Sequence, residues 1–186
     1  MSGAEPSLPE KIVAIDECLA AARMPHAFGG ALALAYYAEP RSTIDIDLNV
    51  FLAPSEHREL LAALRPLGIE TDAGAGSVER DGQWRVWWQR TPIDLFFAYD
   101  ELHGAMREAT RSVPFGDAAL PILAPEHLVV CKAIFDRPKD WLDIEQVLVC
   151  TETFDVAETH AWLERIAGTD DPRTARFDQL AAENVG

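Results

Sequence analysis

Two aspartates separated by one residue are the part of this sequence with the plainest chemistry. Asp45 and Asp47 lie in a segment where apolar and polar residues alternate, which predicts a half-buried strand with both carboxylates on one face. The apolar residues that we expect on the opposite, buried face are Ile44, Ile46 and Leu48. Two carboxylates this close repel each other unless a cation lies between them. Mg²⁺ or Mn²⁺ would suit such oxygen ligands, whereas a plain solvated strand face is the alternative for the pair alone.

A third aspartate, Asp94, lies in a second apolar run, between Ile93 and Leu95. A carboxylate at that place must face water, a cation or a partner, because burying it unpaired is costly. The alternative is an exposed position on an edge strand. Asp100 ends the same strand-like segment and competes with Asp94 as a candidate site residue.

Gly29 and Gly30 stand between a short apolar segment and a helix-like stretch. Glycines in such a place let backbone N–H groups approach phosphates, and the start of a helix favours anions. A plain turn would explain the pair equally well. The two glycines therefore suggest a phosphate site only in combination with the aspartates.

The elements around these residues follow from periodicity and capping patterns. Ser7 and Glu10 form a capping box that opens a helix to about Arg23. The other elements predicted before residue 120 are a helix at 31–37, a strand at 43–51, a helix at 54–64, a loop at 73–76, strands at 84–89 and 93–98 joined by a turn at 90–92, and a helix at 101–110. We therefore expect an α+β core over residues 1–120.

The remainder of the chain reads as helical. Helices are predicted at 126–135 and 139–150, and Asp155 with Glu158 opens a third, to about Ala167. The tail from Thr169 is polar, which predicts a frayed end. Residues 121–186 are thus expected to form a helical C-terminal portion.

The bulk composition restricts the classes of function. The 186 residues carry a net charge of −15, which repels nucleic-acid backbones at long range but leaves room for a nucleoside triphosphate held through metal ions. Three cysteines without metal-ligand spacing argue against a zinc site. Without a secretory signal or an apolar stretch of roughly 20 residues, a cytoplasmic protein that does not enter membranes is expected.

Two motifs together resemble a known superfamily. Residues 28–30 and 41–48 resemble the h-G-G … D-h-D signature of the DNA polymerase β-like nucleotidyltransferases. Residues 132–143 resemble the K-x-x-A … R-x-K-D-x-x-D motif of the AbiEii-type branch, which includes the MenT-like toxins of type IV toxin–antitoxin systems. The resemblance implies a minimal nucleotidyltransferase fold, in which a mixed twisted sheet is flanked by helices.

The resemblance also assigns roles. It implies that Asp45 and Asp47 ligate the metal ions and that Asp94 is the third carboxylate, placed to activate the acceptor hydroxyl. The residues that it implies at the nucleotide are Gly29, Gly30, Arg41, Ser42 and Lys132, and Asp143 would complete the motif on a neighbouring helix.

The function implied is transfer of a nucleoside monophosphate from an NTP to an acceptor. That acceptor is expected to be the 3′ end of a tRNA, in a toxin with a cognate antitoxin partner. Two alternatives stay open: an antibiotic-modifying transferase acting on a small-molecule hydroxyl, and a non-catalytic binding module of the same fold.

Overall fold

The computed structural model describes residues 5–69 and 75–185. Contacts within the chain define two compact units. The sheet unit comprises Met1–Gly29 and Ser42–Ile122, and the helical unit comprises Gly30–Arg41 and Leu123–Gly186. The expected division into domains 1–120 and 121–186 stays a prediction.

The sheet unit contains a mixed sheet with the strand order β3-β4-β2-β1-β6-β5 in the described residues. The strands are β1 His26–Phe28, β2 Ile46–Val50, β3 Gln83–Trp88, β4 Thr91–Phe97, β5 Arg111–Phe115 and β6 Ala118–Ile122. β2 runs parallel to β4, and β1 runs parallel to β6, while the other neighbours are antiparallel. The predicted α+β class with a mixed sheet flanked by helices is confirmed.

The helices of the sheet unit are α1 Leu8–Ala21, α3 His57–Leu64, α4 Ala75–Asp81 and α5 Glu101–Glu108. The predicted capping box of α1 is confirmed, because Glu10 Oε2 accepts hydrogen bonds from the Ser7 N–H and hydroxyl. A 3-10 turn at Pro54–Glu56 leads into α3. The loop predicted at 73–76 is wrong for Ala75 and Gly76, which begin α4, and its first two residues lie outside the described ranges.

The helical unit contains α2 Gly30–Leu34, α6 Pro125–Phe135, α7 Pro138–Cys150, α8 Val156–Ala167 and α9 Pro172–Asn184. The predicted break between α6 and α7 is confirmed, with Asp136 in the left-handed region at φ +52°. Asp155 caps α8 by accepting a hydrogen bond from the Glu158 N–H. The frayed tail was wrong: α9 is an ordered helix that buries Phe177 completely.

The strands differ from the prediction in two further ways. β2 begins only at Ile46, so Ile44 lies before the strand and is 77% exposed instead of buried. β5 and β6 were not predicted, since Pro114 and Pro121 interrupt their strand patterns, and proline cannot donate to a sheet ladder. The reading of Ile46 and Leu48 as buried residues is confirmed.

Each unit has its own apolar core. In the sheet unit it includes Leu48, Ile93 and Leu95, and in the helical unit Val129 and Ile144, all fully buried. Burying such side chains supplies most of the free energy that holds the strands and helices in place. In the ranges that the structure describes, every helix is too short or too polar to cross a bilayer.

Candidate active site

Asp47 and Asp94 lie side by side on neighbouring strands. β2 and β4 are parallel, and their register pairs Asp47 with Asp94. Residues paired in this way point to the same face of a sheet. The residues that flank both aspartates are buried on the other face, so the two carboxylates share the more exposed one. Asp45 lies one residue before the start of β2. We call Asp45, Asp47 and Asp94 the aspartate face.

The positively charged side chain of Arg85, on β3, pairs with the aspartate face. It is paired in register with Asp94, and its Nε and Nη2 donate to Asp94 Oδ1 and Oδ2, both at 2.6 Å. The pKa of the Arg85 guanidinium is raised, chiefly by these hydrogen bonds and further by the negative charges of Asp94, Asp45 and Asp47. Arg85 therefore lies in the field of all three aspartates.

Asp45 is held by the segment that precedes it. The Thr43 hydroxyl donates to a carboxylate oxygen of Asp45 and lies 3.3 Å from its backbone carbonyl oxygen. Ser42, the neighbouring residue, is exposed. This short-range bonding fixes the direction of the Asp45 side chain ahead of β2.

The aspartate face fits a hard divalent cation in its donor chemistry, since it offers only carboxylate oxygens. Its present arrangement is not a closed coordination sphere: in the described residues, no group of three or more His, Cys, Asp or Glu side chains is placed to hold a metal ion. The Asp94 carboxylate is instead held by Arg85, and that of Asp45 accepts from Thr43. A cation bound by Asp94 would therefore compete with Arg85 for the same carboxylate oxygens.

Gly29 and Gly30 differ in backbone hydrogen bonding and in backbone conformation. Gly29 is buried, and its N–H donates to the carbonyl oxygen of Asp47 at 2.9 Å, which links β1 to the strand of the aspartates. Gly30 begins α2 with φ +51°, a left-handed conformation that favours glycine. Because the Gly29 N–H is used within the sheet, a phosphate contact by this pair falls to the backbone at Gly30.

A second group of charged residues lies within the helical unit. Arg41 Nε and Nη2 donate to Asp143 Oδ1 and Oδ2 at 3.2 and 3.1 Å. The Lys132 ammonium donates to the same Asp143 Oδ2 at 2.6 Å and lies 3.8 Å from Asp140 Oδ1. Arg137 in turn donates to both carboxylate oxygens of Asp140 at 2.5 and 3.1 Å.

These five residues form an alternating series of charges, which we call the charge chain: Arg41, Asp143, Lys132, Asp140 and Arg137. Its middle is buried, with Asp140 at 0% and Lys132 at 4% exposure. Its two arginine ends are partly exposed. Three of the residues implied by the resemblance are thus joined, because Arg41 and Lys132 both contact Asp143.

Asp100, the competing third carboxylate, has a structural use. It is the N-cap of α5, and its Oδ1 accepts hydrogen bonds from the His103 N–H at 3.2 Å and from the His103 ring at 2.5 Å. Asp94, by contrast, is paired in register with Asp47. The geometry of the sheet unit therefore favours Asp94 over Asp100.

The pairing of Arg85 with Asp94 was missed because the turn of the hairpin was misplaced. It was predicted at residues 90–92, whereas β3 ends at Trp88 and β4 begins at Thr91, with Gln89 at φ +56°. A two-residue turn fixes the register, and counting back from it places Arg85 opposite Asp94. The positive φ at Gln89 left no clear sign in the sequence, since glycine or asparagine is the usual marker.

Several solved structures are similar to this chain. ANT(2'')-Ia, an antibiotic-resistance factor solved in complex with adenylyl-2''-tobramycin, aligns with a TM-score of 0.58 and 16% identity over 92% of this chain and 97% of its own. An antigenic nucleotidyltransferase-like protein from Paracoccidioides brasiliensis gives 0.54 and 14% over 92% of each chain. The lincosamide adenylyltransferase LnuA, solved with lincomycin, gives 0.52 and 11% over 76% of this chain and 96% of its own.

The class that these likenesses define is the nucleotidyltransferase fold, as the sequence motifs implied. No protein-family model matches the chain, and no curated protein matches it. The fold is therefore established by structural similarity, whereas the AbiEii-type branch stays a prediction.

Proposed function

We propose that this protein is a metal-dependent nucleotidyltransferase. The observation that carries the proposal is the register of β2 and β4, which aligns Asp47 with Asp94 on one face of a nucleotidyltransferase-type sheet, next to Asp45. Carboxylate oxygens gathered on one face are the ligands that a hard divalent cation prefers.

In this proposal the acceptor hydroxyl oxygen attacks the α-phosphorus of an NTP. A new bond forms between that oxygen and the phosphorus, the bond from the phosphorus to the β-phosphate oxygen breaks, and pyrophosphate leaves. Asp45, Asp47 and Asp94 would hold Mg²⁺ or Mn²⁺, which when bound supplies positive charge to the triphosphate and the leaving group. Asp94 would also accept the proton of the attacking hydroxyl, once Arg85 has released its carboxylate.

The remaining predicted residues would bind the anionic part of the NTP. We propose that Arg41, Ser42 and the backbone at Gly30 contact the phosphates, since Arg41 and Ser42 are exposed and Arg41 is cationic. Gly29 would support this site through its hydrogen bond to Asp47. Lys132 and Asp143 would act on the phosphates through Arg41, to which the Asp143 carboxylate is bonded.

The direct test is a transfer assay with labelled NTPs, Mg²⁺ and three acceptor pools: total tRNA, aminoglycoside and lincosamide antibiotics, and protein. We expect wild type to transfer label to one pool and Asp45→Ala to transfer none. Absence of transfer from every NTP to every pool would refute the catalytic proposal. Equal Mg²⁺-NTP affinity in wild type and Asp45→Ala, measured by calorimetry, would leave the proposed metal site without support.

Two acceptor classes have support of different kinds. The motifs of residues 41–48 and 132–143 support a tRNA acceptor and a toxin with an antitoxin partner, through the AbiEii-type resemblance. The net charge of −15 supports a cationic small molecule, since it would attract such an acceptor and repel RNA. ANT(2'')-Ia and LnuA, the similar proteins with bound antibiotic or product, agree with the second class.

Growth assays separate these two classes. A toxin should arrest growth on expression, and Asp45→Ala should relieve the arrest. An antibiotic-modifying enzyme should instead leave growth unchanged and raise the inhibitory concentration of its acceptor. Arrest that persists in Asp45→Ala would exclude catalysis as its cause.

A further inference from the structure

Lys132 lies in the interior of the helical unit, where its ammonium is paired with carboxylates and is barely accessible to a nucleotide. Its residue is 4% exposed, and its ammonium lies 2.6 Å from Asp143 Oδ2 and 3.8 Å from Asp140 Oδ1. Pulling the ammonium away from them would cost the buried carboxylates one of their two compensating charges. We therefore expect Lys132 to keep its ion pairs with Asp143 and Asp140 when a ligand binds.

Asp143 transmits the position of Lys132 to Arg41. Its Oδ2 accepts from the Lys132 ammonium and from Arg41 Nη2, while Oδ1 accepts from Arg41 Nε. This two-point contact fixes the plane of the guanidinium, because the fork of an arginine matches a carboxylate. Two of the five guanidinium N–H groups are used in this way. Since the side chain is 37% exposed, the others can reach an anion in solvent.

The charges of the chain point to the same ligand. Arg41, Lys132 and Arg137 oppose Asp140 and Asp143, so the five side chains carry one positive charge in excess. The middle residues are buried, and the excess is therefore available to a ligand only at the arginine ends. In a chain with a net charge of −15, such a site selects anions by local charge and geometry.

We propose that Lys132 and Asp143 are positioning residues, which hold Arg41 as the group that binds the triphosphate. This inference rests on the proposed function and refines it: Lys132 acts through Asp143 and Arg41 and makes no contact of its own with the nucleotide. The ligand class is a polyphosphate. Arg41 contributes directional hydrogen bonds to it, and the buried pair sets their direction before the ligand arrives.

A double-mutant cycle on ligand affinity tests the inference. The probe is inorganic tripolyphosphate in EDTA, so that neither divalent metal nor catalysis enters the measurement, and calorimetry gives the dissociation constant. We expect Arg41→Ala to weaken binding at least about tenfold, the loss of a charge-assisted contact. Lys132→Met should weaken it about threefold or more, and the double variant should be within about twofold of Arg41→Ala alone.

The opposite result has a clear meaning. If the double variant loses affinity by the product of the two single losses, Lys132 contacts the ligand independently, and the inference is overturned. Lys132→Met is suited to the test because Asp143 keeps Arg41 and Asp140 keeps Arg137. Urea denaturation should confirm that it is folded, and if it is not, Asp143→Asn replaces it in the cycle with the same expected non-additivity.

Arg176→Ala is the matched control for loss of charge. Arg176 lies in the same helical unit, stacked over the Trp141 ring at 4.3 Å, and is not a member of the charge chain. We expect its affinity for tripolyphosphate to stay within about twofold of wild type, since salt screens distant charges. A loss as large as that of Arg41→Ala would show that net charge alone matters, and would overturn the inference.

A transfer assay on the same preparations keeps the two proposals separate. If wild type transfers label with Mg²⁺ but binds tripolyphosphate equally well with and without Arg41, this inference fails and the proposed function stands. If Arg41 is required for binding but no acceptor is ever labelled, the anion site stands and the proposed function fails.

Discussion

The aspartate face and the charge chain are both built from carboxylates and cations, yet they balance charge in opposite ways. In the aspartate face, three partly exposed carboxylates share Arg85, whose own side chain is 53% exposed. In the charge chain, two buried carboxylates alternate with three cations. The first group gathers carboxylates on a partly exposed face, and the second has one positive charge in excess, at the partly exposed arginine ends of a buried series.

We expect this difference to separate residues that bind a ligand from residues that stabilise the fold. Charges in water contribute little to stability, so the aspartate face can be altered with small structural cost. Charges in the interior cost much to leave unpaired, so the middle of the charge chain cannot be altered in the same way. Function and stability should therefore respond differently to the same type of substitution in the two groups.

The largest effect should follow from Asp140→Ala in the charge chain. This fully buried carboxylate pairs with Arg137 and lies near Lys132, which would lose compensation. We expect the free energy of unfolding to fall by about 3–5 kcal/mol. Urea denaturation measures it, with the exposed Asp170→Ala as control, expected within about 0.5 kcal/mol of wild type. Equal effects of the two substitutions would show that the buried middle of the charge chain is no more sensitive than an exposed surface carboxylate.

Asp47→Asn should show the reverse behaviour in the aspartate face. We expect the transfer rate to fall by about 10²–10³-fold, because one of the proposed metal ligands loses its charge. The free energy of unfolding should change by less than about 1 kcal/mol, since Asp47 is only partly buried and relief of repulsion offsets lost contacts. Initial rates with labelled NTP and a urea titration measure the two quantities. A variant that unfolds but keeps its activity per folded molecule would contradict the assignment.

Arg85→Gln tests whether the arginine competes with a divalent cation for Asp94. Removing it should raise the affinity for Mn²⁺ a few-fold, while stability falls by no more than about 1 kcal/mol, as for an exposed ion pair. Titration calorimetry with Mn²⁺ gives the affinity. Arg80→Gln is the matched control, because Arg80 is exposed and pairs with Asp81 by the same two-point contact. An unchanged Mn²⁺ affinity in Arg85→Gln would exclude the competition.

The smallest effect should come from the pH dependence of stability at His127, a buried histidine of the helical unit. Both ring nitrogens are buried without a hydrogen-bond partner among the described residues, although Glu158 Oε1 lies 3.3 Å from Nε2. Burial lowers the pKa of His127, against the opposing charges of Glu158 and Glu126. The unfolded chain therefore binds the proton more readily, and the free energy of unfolding should fall as the pH drops below about 6.5.

His127→Phe should reduce this dependence on pH, as followed by thermal unfolding at several pH values. His160→Gln is a control of opposite sign. The His160 ring donates a hydrogen bond to the Asp178 carboxylate, which raises the pKa of His160, so its contribution is present below about pH 6.5 and is lost as the pH rises through the raised pKa. An identical pH profile for wild type and His127→Phe would refute the role of His127.

The sequence was informative wherever the determining contacts are local. Alternation around Asp47 predicted a strand and its buried face, and capping boxes at Ser7 and Asp155 predicted two helix starts. The end of that alternation was misjudged at Ile44, because periodicity does not say where pairing with a neighbouring strand stops. Asp171 and Pro172, an N-cap followed by a residue suited to the first turn, were the available signal for the missed α9.

The site depended on contacts that no local pattern contains. The register of Asp47 with Asp94 arises from the pairing of two strands far apart in the chain. The contact of Arg41 with Asp143 joins residues separated by 102 positions. The motif resemblance implied roles for Arg41, Lys132 and Asp143. Which of them contact each other is determined by the folding of the helical unit.

Pro114 lies in an edge strand, where it affects how readily another polypeptide can add to the sheet. β5 is an outer strand of the sheet, and an outer strand normally presents backbone donors to which another polypeptide can add itself. Proline has no such donor, and its rigid ring resists the addition of a further strand at that point. Pro114 thus removes a backbone donor from an outer strand, and we expect Pro114→Val to make the protein more prone to aggregate.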